Sequence, residues 1–219
     1  MQLLRPRGVY APQEDTELLA RALRSELRTL HLPHHAEVLD VGTGTGALAL
    51  LAAEWPTARV TAVDISWRAV LAARYNAWRL GLPVRVFHGD LTGPVADRRF
   101  DLILSNPPYV RSPRGDDGAD SHTWHAGADG RVVLDRLCAE APKLLREGGV
   151  LLLVQSVLSG VAPTLEQLTD NGLSARVALR TMIPFGPVME RHAPWLERHG
   201  VIRPGQRKEE LVVIRAQRS

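Results

Sequence analysis

Residues 38–46 of the chain read VLDVGTGTG, an apolar run that leads directly into a cluster of glycines. The run from Val38 to Val41 predicts a buried strand, and apolar residues resume in a predicted helix from Ala47 to Trp55. Glycines between a strand and a helix allow a tight turn in which the backbone approaches a ligand closely. The stretch is therefore typical of the nucleotide-binding corner of an open α/β sheet.

Short apolar runs alternate with helical patterns on both sides of this corner. Before it, regularly spaced leucines predict an amphipathic helix that begins near Asp15 and Thr16 and is stopped by Pro33. After it, the sequence predicts strands at residues 60–63, 84–87, 102–104, 150–154, 175–179 and 211–214, and helices at 70–80, 132–145 and 158–168. This alternation predicts an α/β protein with a seven-stranded, mostly parallel sheet and helices on both faces.

The length and composition fit one domain. The chain has 219 residues, of which 45% are hydrophobic and 23% are charged, which is the balance of a globular protein. We expect a single domain over residues 1–219, with an N-terminal helical extension at 1–33 and a polar, substrate-side loop at 111–125. The single cysteine, Cys138, lies in an apolar periodic segment, where we expect a buried thiol.

Charge and hydropathy argue against several classes of protein. The net charge of +3 arises from 27 basic and 24 acidic residues, a small excess without a basic stripe, so nucleic acid is not indicated as a partner. The N-terminal segment lacks the apolar core of a signal peptide, and the apolar run at 150–154 is too short to cross a bilayer. We therefore expect a cytoplasmic protein with no membrane association.

The glycine cluster is compatible with two kinds of nucleotide. With Ala47 it satisfies the Gly-x-Gly-x-x-Ala fingerprint of dinucleotide-binding proteins, and Asp64 follows about twenty residues later. Two carboxylates favour S-adenosyl-L-methionine instead. Asp40 precedes the glycines, where it suits a methionine ammonium and would repel a pyrophosphate, and Asp90 follows the third strand, where it can accept from an adenine amino group. We expect S-adenosyl-L-methionine as the cofactor and S-adenosyl-L-homocysteine as its product.

Further contacts are expected around this cofactor. Asp64 ends the second predicted strand and should accept from both ribose hydroxyls. Ile65, the next residue, either packs on the purine face or makes an ordinary core contact, and the sequence leaves both interpretations open. Gly42 and Gly44 bring the backbone close to the cofactor.

A second motif, Asn106-Pro107-Pro108-Tyr109, ends the fourth predicted strand. Prolines cannot continue a central parallel strand, so the chain turns out at the carboxyl edge of the sheet. The Asn106 side-chain oxygen and the Pro107 carbonyl can both accept from one NH₂ group, which holds a planar nitrogen and aims its lone pair at a methyl-sulfonium. Tyr109 supplies a packing wall, and Asn106 also borders the cofactor. The motif predicts N-methyl transfer with Asn106, Pro107 and Tyr109 as catalytic residues and with no metal.

Two more segments, together with this motif, resemble a known family. Residues 10–19 read YAPQEDTELL and residues 126–136 read AGADGRVVLDR. With them the chain resembles the HemK-like release-factor glutamine methyltransferases, in the short form found in archaea and eukaryotes. The resemblance implies the class I methyltransferase Rossmann-like fold and methyl transfer to a glutamine amide in the Gly-Gly-Gln loop of a translation termination factor. By motif position it implies cofactor contacts at Thr16, Asp40, Gly42, Asp64, Asp90 and Leu91, and contacts with the substrate amide at Asn106 and Pro107.

The chain departs from this family in the elements that would recognise the substrate. Bacterial release-factor enzymes carry a helical domain before the glycine loop, whereas only residues 1–41 precede Gly42 here. The short-form relatives work with a small zinc-binding partner subunit, which the resemblance implies as a partner to test for. The loop at 111–125 and the segment at 184–187 match no part of the family pattern, so they leave the methyl acceptor open.

The residues themselves are compatible with other functions. Adenine N6 in RNA or DNA is also a conjugated NH₂ group, so the same motif serves adenine methylation, although the sequence shows no nucleic-acid-binding appendage. A small-molecule or peptide nitrogen is a further acceptor. A non-catalytic, cofactor-binding subunit is disfavoured, because such a subunit has no physical need of an intact Asn-Pro-Pro-Tyr motif.

Overall fold

The sheet brings the ends of its central strands together at one edge. A computed structural model describes residues 2–29, 33–112 and 126–219 of the chain. In these ranges seven strands form one sheet: β1 (Glu37–Val41), β2 (Arg59–Asp64), β3 (Val84–His88), β4 (Phe100–Ser105), β5 (Leu145–Ser156), β6 (Leu173–Pro184) and β7 (Lys208–Arg218). Their order is β3-β2-β1-β4-β5-β7-β6, with β1 to β5 parallel and β7 antiparallel to both of its neighbours. The predicted α/β class with a seven-stranded, mostly parallel sheet is confirmed.

The described ranges contain six α-helices, the first before β1 and the others between strands: α1 (Glu14–Thr29), α2 (Ala47–Ala53), α3 (Trp67–Leu80), α4 (Val132–Glu140), α5 (Val161–Asp170) and α6 (Pro187–Arg198). Local sequence sets the ends of α3, because the Ser66 side chain accepts from the Ala69 N–H and Gly81 follows the helix with a φ of 66°. Leucines at 18, 19, 23 and 27 are buried along α1, which packs on β5 and β6. The predicted N-terminal helix is therefore part of the core.

The position of β1 creates the crevice in which a ligand belongs. The chain builds β1, β2 and β3 outward in one direction and then crosses back to place β4 and β5 on the other side of β1. Open α/β sheets bind ligands at such a reversal, outside the carboxyl ends of the strands. The glycine cluster follows β1 and Asn106 follows β4, so both motifs lie at this crevice.

Two predicted helices have different bounds in the structure. The helix predicted at 132–145 ends at Glu140 because Pro142 lies in a short 3₁₀ segment, and Leu145 is already the first residue of β5, paired with Phe100. The helix predicted at 158–168 begins at Val161 and runs to Asp170. Gly160, with a φ of 83°, separates it from a 3₁₀ turn at 157–159.

The segment at 184–187 joins two elements. Pro184 is the last residue of β6, and Pro187 is the first residue of α6. Neither the length of β6 nor the presence of α6 was predicted from the sequence. Proline at 194 lies inside α6 and argues against a helix. The sequence nevertheless contains a pattern that indicates this helix, because the buried apolar residues Met189, Ala193 and Leu196 follow helical spacing.

Three further expectations concern Cys138, the loop at 111–125 and membrane-spanning helices. Cys138 is fully buried, as predicted. Of the loop predicted at 111–125, residues 111 and 112 are irregular, and 113–125 lie outside the described residues. Within the ranges 2–29, 33–112 and 126–219, no helix combines the length and the apolar composition needed to cross a membrane.

Candidate active site

The glycine loop after β1 folds against the end of β2. The Gly42 N–H donates to the Val63 carbonyl at 2.9 Å. Gly42, Gly44 and Gly46 have φ of 73°, 56° and 87°, in the region that residues with a side chain disfavour. Gly46 is also tightly packed, since an added Cβ would lie 3.2 Å from the Ala73 Cβ. The loop therefore needs glycine both for its backbone conformation and for the approach of α3.

A cavity of about 240 Å³ opens between this loop and the end of β4. Eight of the nine predicted cofactor-binding residues line it: Thr16, Gly42, Gly44, Asp64, Ile65, Asp90, Leu91 and Asn106. They come from α1, from the loops that follow β1, β2 and β3, and from the turn after β4. The fold thus gathers residues separated by up to 90 positions around one space.

Asp40 is the predicted cofactor-binding residue that does not line this cavity. Its side chain is 1% exposed, and its Oδ2 accepts from the Thr43 hydroxyl at 2.6 Å and from the Ala49 N–H at 3.1 Å. Burial raises the pKa of the carboxyl to about 6. In this arrangement Asp40 fixes the glycine loop to the start of α2, and its direct contact with a methionine ammonium stays a prediction.

Two backbone N–H groups in the cavity lining hold the Asp64 carboxylate. Its Oδ2 accepts from the Gly44 N–H and its Oδ1 from the Ser66 N–H, both at 2.8 Å. Burial raises the pKa of this carboxyl. Because a carboxylate offers about four acceptor positions, two remain for a pair of hydroxyl groups in the cavity.

We expect Asp64→Ala to weaken S-adenosyl-L-methionine binding by about 1.5–3 kcal/mol, the scale for losing hydrogen bonds to a charged group. This corresponds to a roughly 10- to 150-fold higher Kd by calorimetric titration. Asp97→Ala, which removes an exposed carboxylate from outside the cavity, is the matched control and should leave Kd unchanged. An unaltered Kd in a stably folded Asp64→Ala variant would remove this residue from the site.

Asp90 is part of an ion pair at the rim of the cavity. Both of its oxygens accept from the Arg136 guanidinium, at 3.2 and 2.8 Å. Arg136 also lines the cavity, although the sequence did not single it out. Leu91, the next residue, has a φ of 44°, an unusual backbone conformation for leucine. Ile65 is 47% exposed, which leaves its side chain available for a flat ligand.

The turn after β4 is anchored at its start. The Ser105 hydroxyl donates to the Val41 carbonyl at 2.9 Å, which ties the end of β4 to the end of β1. The Asn106 side-chain NH₂ group donates to the Thr16 hydroxyl at 3.3 Å. Asn106 and Pro107 line the small cavity and also a second cavity of about 590 Å³. The turn therefore forms part of the wall that the two cavities share, and residues 8–10 form another part of it.

Tyr109 is 7% exposed and lines the larger cavity. Its hydroxyl donates to Asp15 Oδ2 at 3.1 Å. Burial, together with the charge of Asp15, raises the pKa of this phenol well above its ordinary value, so Tyr109 stays a neutral hydrogen-bond donor. Met189 and His192 of α6, a helix that was not predicted, also line the larger cavity.

Residues 126–136, which include the first turn of α4, pack against the turn that follows β4. Gly130 packs directly on the turn, since a Cβ there would lie 2.4 Å from the Tyr109 carbonyl oxygen. The Arg131 Nη1 donates to three oxygens near the start of α5: those of the Ser159 and Gly160 carbonyls and the Thr164 hydroxyl. Arg131 is only 9% exposed, so these bonds hold α4 and α5 together beside the site.

A mixed seven-stranded sheet with a glycine loop after β1 and an Asn-Pro-Pro-Tyr turn after β4 defines a class I methyltransferase. A family model for the methyltransferase small domain matches residues 1–175. The chain therefore belongs to this family and is an S-adenosyl-L-methionine-dependent methyltransferase.

The chain is also similar to individual relatives. It is 34% identical over 184 residues to a protein of Methanocaldococcus jannaschii that is provisionally named a protein N5-glutamine methyltransferase, covering 83% of this chain and 89% of that protein. It is 43% identical over 176 residues to the release factor glutamine methyltransferase of Deinococcus radiodurans, covering 76% of this chain but only 60% of that enzyme. Among solved structures, the E. cuniculi Mtq2–Trm112 complex, responsible for methylation of the termination factor eRF1, matches with a TM-score of 0.68 and 24% identity over 97% of this chain and 99% of the other.

Proposed function

We propose that this methyltransferase transfers the methyl group of S-adenosyl-L-methionine to the side-chain amide nitrogen of a glutamine in a protein. The proposal depends on one observation: Asn106 and Pro107 line both cavities. A cofactor in the smaller cavity and an acceptor in the larger one would meet at these two residues. The nine cofactor contacts and the catalytic roles of Asn106, Pro107 and Tyr109 belong to the same proposal.

The chemistry follows from the acceptors that this turn offers. Asn106 Oδ1 and the Pro107 carbonyl accept from the two N–H groups of the substrate amide, which orients the nitrogen toward the methyl-sulfonium. The nitrogen forms a bond to the methyl carbon while the carbon–sulfur bond breaks, and its electrons pass to the sulfur. The methylated amide then releases one proton to water. Positioning and electrostatics therefore provide the catalysis, and no strong base is needed.

The relatives suggest the identity of the acceptor. Their names refer to glutamines of release factors and, for a relative from Bradyrhizobium diazoefficiens, of ribosomal protein uL3. We favour the glutamine of a Gly-Gly-Gln loop in a translation termination factor, which would place the protein in the cytoplasm. A small partner comparable to Trm112 in the E. cuniculi complex is proposed as well. We assign all these activities to one domain, residues 1–219.

Mass spectrometry of a termination factor after reaction with the protein and its cofactor tests the proposal. We expect one added methyl group on the Gly-Gly-Gln glutamine, and none on a factor carrying Gln→Ala at that position. An adenine-containing oligonucleotide is run in parallel, and both reactions are repeated with a Trm112-like zinc-binding protein. Methyl transfer to the oligonucleotide alone, or to neither substrate under both conditions, would reject the termination-factor glutamine as the acceptor.

A further inference from the structure

Asp15, in the first turn of α1, is a buried carboxylate with no role in the mechanism so far. It is 4% exposed and accepts four hydrogen bonds. Oδ1 accepts from the Thr16 N–H at 2.5 Å and from the Thr16 hydroxyl at 3.1 Å. Oδ2 accepts from the hydroxyls of Tyr10 and Tyr109, at 2.7 and 3.1 Å. The carboxylate oxygens are the acceptors in all four bonds, and each of the four partner groups is the donor.

This requirement fixes the role of the Thr16 hydroxyl. A hydroxyl carries one hydrogen, and Thr16 gives that hydrogen to Asp15. Toward its other neighbour, Asn106, the same oxygen can therefore only accept. The Asn106 Nδ2 lies 3.3 Å from it and donates. Because the nitrogen and oxygen of the side-chain amide lie on opposite sides of the Cβ–Cγ bond axis, Asn106 Oδ1 is on the side away from Thr16.

We propose that Asp15 is a positioning residue that determines, through Thr16, which end of the Asn106 side chain faces the substrate. The inference rests on the proposed function, in which Asn106 Oδ1 accepts from the substrate amide. If the Asn106 amide were rotated by half a turn, it would present its own NH₂ group to the NH₂ group of the substrate. Two donors would then face each other, and the orienting hydrogen bond would be lost.

The two phenols keep the Asp15 carboxylate in place. Burial and the charge of Asp15 raise the pKa values of both Tyr10 and Tyr109, so both hydroxyls remain donors. Tyr10 comes from the segment YAPQEDTELL, whereas Tyr109 ends the Asn-Pro-Pro-Tyr motif. The two motifs thus meet at a single carboxylate, which gives the N-terminal segment a physical reason to accompany the catalytic turn.

Asp15→Asn is the direct test, because its side-chain NH₂ group can donate to Thr16 and so free the orientation of Asn106. We expect kcat to fall roughly ten- to hundredfold, the scale of a small misplacement of a reacting group, while KM and Kd for S-adenosyl-L-methionine change less than about threefold. Glu17→Gln removes another carboxylate from the same turn of α1 and serves as the matched control. It should leave kcat unchanged.

Two variants at Thr16 test the same link without altering the carboxylate. Thr16→Val removes the hydroxyl but preserves the shape of the side chain, and should lower kcat as Asp15→Asn does. Thr16→Ser keeps the hydroxyl and should retain most of the wild-type kcat. A kcat within about twofold of wild type in both Asp15→Asn and Thr16→Val would overturn the proposal.

A spectroscopic measurement separates this inference from the proposed function. In the wild type, the Asn106 side-chain NH₂ resonances in ¹⁵N spectra should exchange slowly with solvent, and exchange should accelerate in Asp15→Asn. This experiment needs no methyl acceptor. Unchanged exchange in Asp15→Asn would overturn the positioning role even if glutamine is methylated. Accelerated exchange in a protein that methylates no glutamine would support the positioning role and reject the proposed acceptor.

Discussion

Asn106→Ala is expected to lower kcat by about a hundredfold or more, as is typical when a preorganised hydrogen bond to the reacting group is removed. Binding of S-adenosyl-L-methionine should stay within a few-fold of wild type, because the proposed role of the Asn106 oxygen is toward the acceptor. Single-turnover methylation assays give the rate, and calorimetric titration gives the Kd of the cofactor.

A matched control for this variant lies far from the site in sequence. Asn171→Ala also removes an asparagine side chain, but Asn171 is exposed at the end of α5 and its amide donates to the Gln167 carbonyl of the same helix. It should retain the wild-type rate. If Asn106→Ala methylated the authentic acceptor nearly as fast as the wild type, the proposed mechanism would be wrong.

The second large effect is expected from Gly130→Ala, which should destabilise the support of the catalytic turn. Gly130 has a φ of 74°, and an added Cβ would lie 2.4 Å from the Tyr109 carbonyl oxygen. Backbone strain and displacement of the turn together should cost about 3 kcal/mol. This cost corresponds to a fall of roughly 6–12 °C in Tm for a domain of this size. Methyl transfer should fall as well, since Asn106 belongs to the same turn.

Gly172→Ala provides the comparison for Gly130→Ala. Gly172 has a similar φ of 81° but no atom within 4 Å of an added Cβ, so the change introduces the strain without the clash. We expect a loss of about 1 kcal/mol, or roughly 2–4 °C in Tm, and normal catalysis. Equal losses of Tm and activity in the two variants would contradict contact with Tyr109 as the cause.

The parallel strands of the sheet could be predicted because the residue patterns that indicate them lie within short stretches of sequence. Strands β1, β2 and β4 are short apolar runs that are mostly buried, and β1 and β4 are each followed by residues that favour a turn. The glycines after β1 and the prolines after β4 need no distant partner to be recognised. Eight of the nine residues that the sequence predicts for the cofactor line the smaller cavity.

Most features of the fold and the site that were not predicted depend on contacts between residues distant in sequence, which a local sequence pattern does not show. Strand β6 is the exception: its apolar residues alternate from Leu173 to Ile183, so the prediction at 175–179 was shorter than this pattern allows. The Arg136–Asp90 pair joins residues 46 positions apart, and the Tyr109–Asp15 bond joins residues 94 apart. Neither pair has a spacing that a local rule detects. Asp40 was assigned to the cofactor from its chemistry, whereas its buried contacts follow from packing around α2.

The place of β7 in the sheet has a consequence for the order of biosynthetic folding. β7 follows β6 in the chain but lies between β5 and β6, and β6 pairs with β7 alone among the described strands. When the ribosome has produced β6, that strand still has no neighbour to pair with. Strands β6 and β7 can therefore pair only after residues 208–218 emerge, and β7 pairs with β5 as well. Glu209 of β7 lines the larger cavity, so this part of the cavity wall forms only after residues 208–218 have been synthesised.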